Sequence, residues 1–391
     1  MYGHPATTRR TGRIRLSRTA TTALAGALVL TGAASSLASA QAKSASKAPT
    51  TASLEKSLTA LEAPPSSSVT LTEAGSSLFF PLFSAWATHY PHTSIQIQAA
   101  AGGSGAGISN AQKGVSNIGA SDVYVAPSQI AAGLMDIPEV VSAQTVNYNI
   151  PGLKTSTHLK LNASVLNSMY SGSITMWNDP AIAALNKGVS IPAVKVVPIH
   201  RSDNSGDTFL FTSYLFNGDS SSFVSSTGPN LTVSWPSVSG SLAENGNTGV
   251  LQTCQVTPGC LAYIGISYLN SELTNNVGYA SLQNGKGNFE LPTTTAINAE
   301  IGSFKQIPAS GGINMVDSKS APSGYPIANF EYAIVLQSQP NPTTAQAVKA
   351  VLAWGIDPKG GSSTALLNSV HFRALPPNAE QIAINLIKSI H

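Results

Sequence analysis

The chain has 391 residues, 42% of them hydrophobic, with 21 Lys and Arg against 18 Asp and Glu for a formal net charge of +3. Only 10% of residues are charged, against roughly 25% in an ordinary soluble domain, so this is a globular chain with a sizeable core and not a disordered polyelectrolyte. The charge is too sparse for the dense basic face that a nucleic-acid backbone requires, and two cysteines exclude a dense disulfide scaffold and a cysteine-based zinc site.

Arg9, Arg10, Arg13, Arg15 and Arg18 open the chain, with no acid before residue 41. A short apolar run from Thr22 to Leu30 and then Ala38-Ser39-Ala40 complete the three parts of an export signal. Residues 1–40 are therefore expected to be a signal peptide, the apolar run being too short to span a membrane. Arg9-Arg10 leaves the general and twin-arginine export routes both open. Beyond residue 40 there remain 16 basic and 18 acidic residues, a net of −2. Residues 41–68, rich in Ser, Ala, Thr, Lys and Pro, read as a linker; Leu54, Leu58 and Leu61 have helical spacing, but the composition favours a tether.

From Val69 the texture changes. Val69 to Thr72 is a strand, and Leu78, Phe79, Leu82, Phe83 and Trp86 recur with helical spacing, Pro81 being tolerated in a first turn. Ser94 to Gln98 alternates as a strand does, and Gly107 to Lys113 reads as a short helix. Val140 to Ile150 and Val194 to Ile199 are strands, the second ending at His200-Arg201. Phe209 to Phe216 is helical, Phe330 to Leu336 a strand, Thr344 to Trp354 a helix and Ala379 to Ile390 a last helix. Alternation of this kind implies an α/β fold. Cys254 and Cys260, in an exported chain, are expected to close a small disulfide loop.

Three segments share one grammar of strand, Gly/Ser-rich turn and helix start: Glu73 to Leu78, Ala101 to Gly107, and Arg201 to Phe209. Each exposes backbone N–H groups and hydroxyls at a helix N-terminus, where an anion is favoured. After residue 40 the chain has two arginines, Arg201 and Arg373, and one stands inside the third turn. A guanidinium can hold an oxyanion through two parallel hydrogen bonds; a local salt bridge from Arg201 to Asp203 is the structural alternative.

Arg201-Ser202-Asp203 followed by Ser205-Gly206-Asp207-Thr208-Phe209, with Gly119-Ala120-Ser121-Asp122 and Gly103-Ser104-Gly105, resembles the phosphate-binding subunit of the bacterial high-affinity phosphate ABC transporter. Asn147 to Gly152, Gly172 to Asp179, Glu244 to Asn247, Gly259 to Gly265 and Leu375 to Pro377 extend the resemblance over roughly residues 69–391. The paired cysteines and the form of the third turn are closest to the mycobacterial and actinobacterial branch. The resemblance implies a two-lobed periplasmic-binding-protein fold (type II-like) with the ligand between lobes. Lobe one would comprise residues 69–150 and 326–391, lobe two 151–325, with hinge crossings near 149–152 and 325–328. It places phosphate contacts on Ser77, the Leu78 amide, Ser104, Asp122, Arg201, Ser205, Gly206 and Asp207.

Inorganic phosphate, a permease and an ATPase are the partners implied, with no cofactor, no metal and no enzymatic activity, at the periplasmic or outer face of the cell membrane. Relatives in that branch are often lipoproteins; Leu30-Thr31-Gly32-Ala33 resembles a lipobox with alanine where the acylated cysteine would stand, so no lipid is expected there. A carboxylate at Asp122 would accept the proton that phosphate keeps at neutral pH and repel sulfate, which has none. Asp207 is expected to accept a second proton. A secreted phosphatase using His200, Ser202, Asp203 and Ser205, or a binder of another tetrahedral oxyanion such as arsenate, are the alternatives; no G-x-S-x-G elbow accompanies that cluster.

Overall fold

A computed structural model describes residues 50–391. The expected signal peptide, the lipobox-like Leu30 to Ala33 and the start of the expected linker lie outside the described residues.

Nine strands form the main sheet: β1 (Val69–Gly75), β2 (Ile95–Ala101), β3 (Ile118–Ser121), β4 (Leu134–Asn149), β5 (Val197–Arg201), β6 (Leu242–Glu244), β7 (Cys260–Gly265), β8 (Gly278–Tyr279) and β9 (Ala328–Leu336). Their order is β2-β1-β3-β9-β4-β7-β5-β6, with β8 also pairing β4. β1 runs parallel to β2 and β3, and β5 parallel to β6 and β7. β9 and β4 are antiparallel at the centre. Seven helices matter below: α1 (Thr51–Leu61), α2 (Phe80–His89), α3 (Ser104–Gln112), α4 (Gly206–Gly218), α5 (Gly246–Val256), α6 (Pro342–Ile356) and α7 (Pro377–Ser389).

The two lobes share β4. Its first part, Leu134 to Ala143, pairs with β9, and Gln144 to Asn149 pairs with β7. The partner change thus falls at Ala143/Gln144, ahead of the crossing expected near 149–152, because one continuous strand serves both lobes. Its burial explains how it was partly hidden: every residue from Leu134 to Tyr148 is buried, yet Asp136, Pro138 and Glu139 read as loop residues in the sequence. The chain returns through Tyr325 to Ile327 into β9; the Tyr325 hydroxyl donates to Gln144 O at 2.8 Å, and the Gln144 amide to Ile327 O at 3.0 Å.

The linker expected over residues 41–68 is corrected for Thr51–Leu61, while residues 62–68 form neither helix nor strand. α1 is a helix capped at Thr50, whose hydroxyl accepts the Ser53 amide at 3.3 Å. Its Leu54 and Leu58 are buried and the helix packs on α6 and α7. One apolar stripe at i, i+4, i+7 suffices once a partner surface covers it. α6 is buried along nearly its whole length and lies under the first lobe's strands. The expected helices begin earlier than their apolar runs suggest: Ser104 and Gly206 start α3 and α4, since polar capping turns carry no hydrophobic period. Cys254 and Cys260 form the expected disulfide, buried between α5 and β7.

Candidate functional site

The three turns converge where the lobes meet. In the first, β1 ends at Gly75 and the chain enters α2 through Ser76 and Ser77. The Leu78 and Phe79 amides donate to the Ser76 hydroxyl at 3.1 and 3.0 Å, and that hydroxyl donates to Asp122 Oδ1 in a very short hydrogen bond. The Leu78 amide is therefore engaged by Ser76, and the Leu78 side chain packs at Gly265. In the second turn, Ser104 opens α3 and its hydroxyl accepts the Asp122 amide at 3.1 Å. Asp122 follows β3 and is buried.

The third turn faces them from the other lobe. Ser205 caps α4 by accepting the Thr208 amide at 3.3 Å. A Cβ at Gly206 would lie 2.3 Å from Asp122 Oδ2 and 2.4 Å from Ser104 Oγ, so glycine there is what allows the α4 N-terminus to meet the first lobe. Gly103 answers from the other side: at φ +83°, a side chain would be strained, and its Cβ would stand 2.4 Å from Asp203 Oδ2. The Gly105 amide donates to Asn204 O at 2.9 Å across the same junction.

Arg201 ends β5 and is buried. Its Nε and Nη2 donate to Asp203 Oδ1 and Oδ2 at 2.7 and 2.5 Å, and Nη1 donates to Asp207 Oδ2 at 2.5 Å. The local salt bridge to Asp203 is thus present, and a second carboxylate is added. Three of the five guanidinium N–H groups are used, which leaves one on each terminal nitrogen. Burial alone would lower the guanidinium's affinity for its proton; Asp207 first and Asp203 next outweigh it. Asp207 has donors on both oxygens, Gln144 Nε2 at 3.0 Å on Oδ1 and Asn247 Nδ2 at 2.8 Å on Oδ2. The geometry makes it a counter-ion of Arg201.

Asn247, one residue into α5, is the residue the sequence reading passed over. Its amide and Nδ2 donate to Ser77 Oγ at 3.1 and 3.0 Å, its Nδ2 also to Asp207, and its Oδ1 accepts the Gly265 amide at 2.8 Å. It ties the first turn to the third. The signal was present in Glu244-Asn245-Gly246-Asn247, a turn before a helix. Asp122 is pushed up to about 7, by burial first and by the charge of Asp207 second, while Ser76 and Arg201 pull it down. His200 does not join a triad: its ring stacks on Trp235 at 4.9 Å, and its Nδ1 lies 3.1 Å from the carbonyl of Arg201.

Two lobes sharing one sheet, with helix N-termini, hydroxyls, carboxyls and one guanidinium buried at their junction, define a solute-binding architecture. The crystal structure of a phosphate binding protein from Stenotrophomonas maltophilia has the same fold, with a TM-score of 0.62 at 17% identity over 81% of this chain and 94% of that one. The sequence matches the PBP superfamily domain over residues 32–359. It is 30% identical to the phosphate-binding protein PstS of Methanocaldococcus jannaschii, over 76% of this chain and 80% of that protein. It is 29% identical to the phosphate-binding protein PstS 2 of Mycobacterium tuberculosis, over 66% and 70%. The chain belongs to the PBP superfamily and, within it, to the family of the PstS phosphate-binding proteins.

Proposed function

We propose that this protein binds inorganic phosphate between its lobes, outside the cytoplasmic membrane, and delivers it to the permease and ATPase of an ABC-type importer. The observation that carries the reading is the opposition of Asp122 to the α4 N-terminus: Asp122 Oδ2 points at Gly206 beside the Arg201 ion pairs. A helix N-terminus and a guanidinium attract an anion; a carboxylate in the same place admits only an anion that brings its own proton. Phosphate does so near neutral pH and sulfate does not.

Ser77, the Leu78 amide, Ser104, Asp122, Arg201, Ser205, Gly206 and Asp207 are the proposed contacts, the first four from one lobe and the last four from the other. Asn247 sets the spacing between Ser77 and Asp207. Closure over the ion would bring the lobes together about the β4 and Tyr325–Ala328 crossings. Among the described residues no helix is long and apolar enough to cross a membrane. Arsenate carries the same proton and fits the same reading. The stacking of His200 on Trp235 and the capping role of Ser205 argue against the phosphatase alternative.

Titration calorimetry with phosphate, arsenate and sulfate tests the proposal. Phosphate and arsenate should bind with one site per chain and sulfate at least about 100-fold more weakly, as expected for an acceptor left facing an acceptor. Sulfate binding as tight as phosphate overturns it, as does turnover of a chromogenic phosphate ester.

A further inference from the structure

Behind Asp122 lies a second carboxyl that no anion contact requires. Glu331 sits in the middle of β9 and is fully buried. Its Oε1 takes the Ser142 hydroxyl, itself shared with Asn329 Oδ1, and the Asn329 amide nitrogen at 3.1 Å. Its Oε2 is buried without a donor. β9 runs antiparallel to β3 with Tyr332 opposite Ser121, which sets Glu331 opposite Asp122, and Asn329 Nδ2 bridges the two residues, donating to Glu331 Oε1 and, at 3.3 Å, to Asp122 O. The guanidinium of Arg201 is paired with Asp203 and Asp207 and its charge is felt by Asp122, while Glu331, behind Asp122, is left without a cation.

Two adjacent buried carboxylates cannot both ionise without a large penalty, so one of this pair holds a proton. Asp122 has the Ser76 donor and feels the charge of Arg201; Glu331 has no cation beside it. The other acids on strands and helices against β9 have surroundings of their own, and Glu139 has no hydrogen-bond partner on either oxygen. Asp136 accepts the Val125 amide at 2.8 Å, Glu139 lies against Gly355, and Glu300 accepts the Ser318 amide at 2.5 Å. Tyr332, next along β9, engages Ile313.

Resting on the phosphate-binding reading, we propose that Glu331 is the proton store of the site: as a neutral acid it donates to Asp122 and keeps that carboxylate a pure acceptor for the proton of the bound anion. Glu331 touches no ligand in this scheme and acts through Asp122, as a positioning residue that sets selectivity. Burial first and the Asp122 charge second hold its proton well above the usual carboxylate range.

The test compares wild type, Glu331→Gln and Glu331→Leu by calorimetry with phosphate and sulfate, and by infrared spectroscopy. Above about pH 8.5 free phosphate is almost all the dibasic ion, so a change up to about pH 10 in the affinity for that ion belongs to the protein. Wild-type affinity should fall across this range as Glu331 ionises. Glu331→Gln keeps a donor and cannot ionise, so it should bind as wild type at neutral pH and lose the alkaline fall. Glu331→Leu removes the donor, lets Asp122 take a proton and become a donor, and should cut the phosphate-to-sulfate ratio by about tenfold or more. Other buried acids, Glu73, Glu139 and Glu272, give protonated-carboxyl bands common to both proteins; the difference spectrum of wild type minus Glu331→Gln should contain one further such band, which should shift when phosphate is added to wild type. An alkaline fall shared by wild type and Glu331→Gln, or no such band, overturns the proposal while the phosphate reading stands. A wild-type protein that binds no phosphate overturns both.

Discussion

The two halves of the site solve different problems. The first lobe contributes Ser76, Ser77, Ser104, Asp122 and, behind them, Glu331: hydroxyls and acids with no cation among them. The second contributes Arg201 with two carboxylates already bound to it, and the start of α4. A site meant only to attract negative charge would not place acids on one side and neutralise its guanidinium on the other. The arrangement assigns attraction and closure to the second lobe and discrimination to the first. It also explains how a chain with 10% charged residues serves an ionic ligand: most of the holding falls to hydroxyls and helix amides, which no charge count records.

Removing the cation should break the comparison most sharply. Arg201→Ala leaves Asp203 and Asp207 buried and unpaired beside the anion, so phosphate binding should weaken by about 3 kcal/mol or more, with a lower melting temperature. Unchanged affinity in calorimetry would sink the division of labour. The ratio of phosphate to sulfate affinity should move far less than the affinity itself, since the discriminating acid stays in place. Gly206→Ala comes next. Its Cβ would meet Asp122 Oδ2 at 2.3 Å and Ser104 Oγ at 2.4 Å, so the lobes must part to admit it. Affinity should drop by about 2 kcal/mol with the fold intact, and the phosphate-induced decrease in radius of gyration seen by X-ray scattering should shrink. A variant that compacts as wild type does would mean that closure does not bring these residues together.

Much of this was open to a reader of the sequence. The three turns stood out because glycine and serine cluster between a strand and an apolar helical run, and Arg201 because arginine is so rare beyond residue 40. What was hidden had specific physical causes. Glu331 lies in Phe330-Glu331-Tyr332-Ala333-Ile334, a strand buried on both faces; the lone acid was the signal, and the apolar pattern masked it. Asp136 and Glu139 disguised the first half of β4 in the same way. Asn247 acts on Ser77 across 170 positions of chain, a distance that no local pattern encodes. α1 had the correct leucine spacing within a composition typical of tethers, and only the surface of α6 and α7 decided between them. Local chemistry was legible, and pairings made by folding were not.

Asn247 is the hinge between the halves and should show an intermediate effect. Asn247→Ala removes the Nδ2 donor to Ser77 and Asp207, leaving only its backbone amide on Ser77, and strands the Gly265 amide, which now donates to its Oδ1 at 2.8 Å. A loss of about 1.5 kcal/mol in phosphate affinity is expected. Because both lobes lose a tie, dissociation should account for most of it, and stopped-flow rates would reveal the opposite if association alone slowed.

The smallest effect tests the discriminating side by itself. Ser76 donates to Asp122 Oδ1 and is one of the groups that pull its pKa down toward about 7 against burial and the Asp207 charge. Asp122 accepts the anion's proton only when ionised, so affinity is lost as pH falls through its pKa. Ser76→Ala removes a stabiliser of the ionised form, raises that pKa and moves the acid limb of the affinity profile to higher pH. The cost at neutral pH should be about 1 kcal/mol, with affinity recovering toward the wild-type value as the pH is raised. A uniform loss at every pH would mean that Ser76 acts only as the cap of the first turn. A shifted limb with a preserved plateau would place it, with Glu331, in the machinery that keeps Asp122 an acceptor.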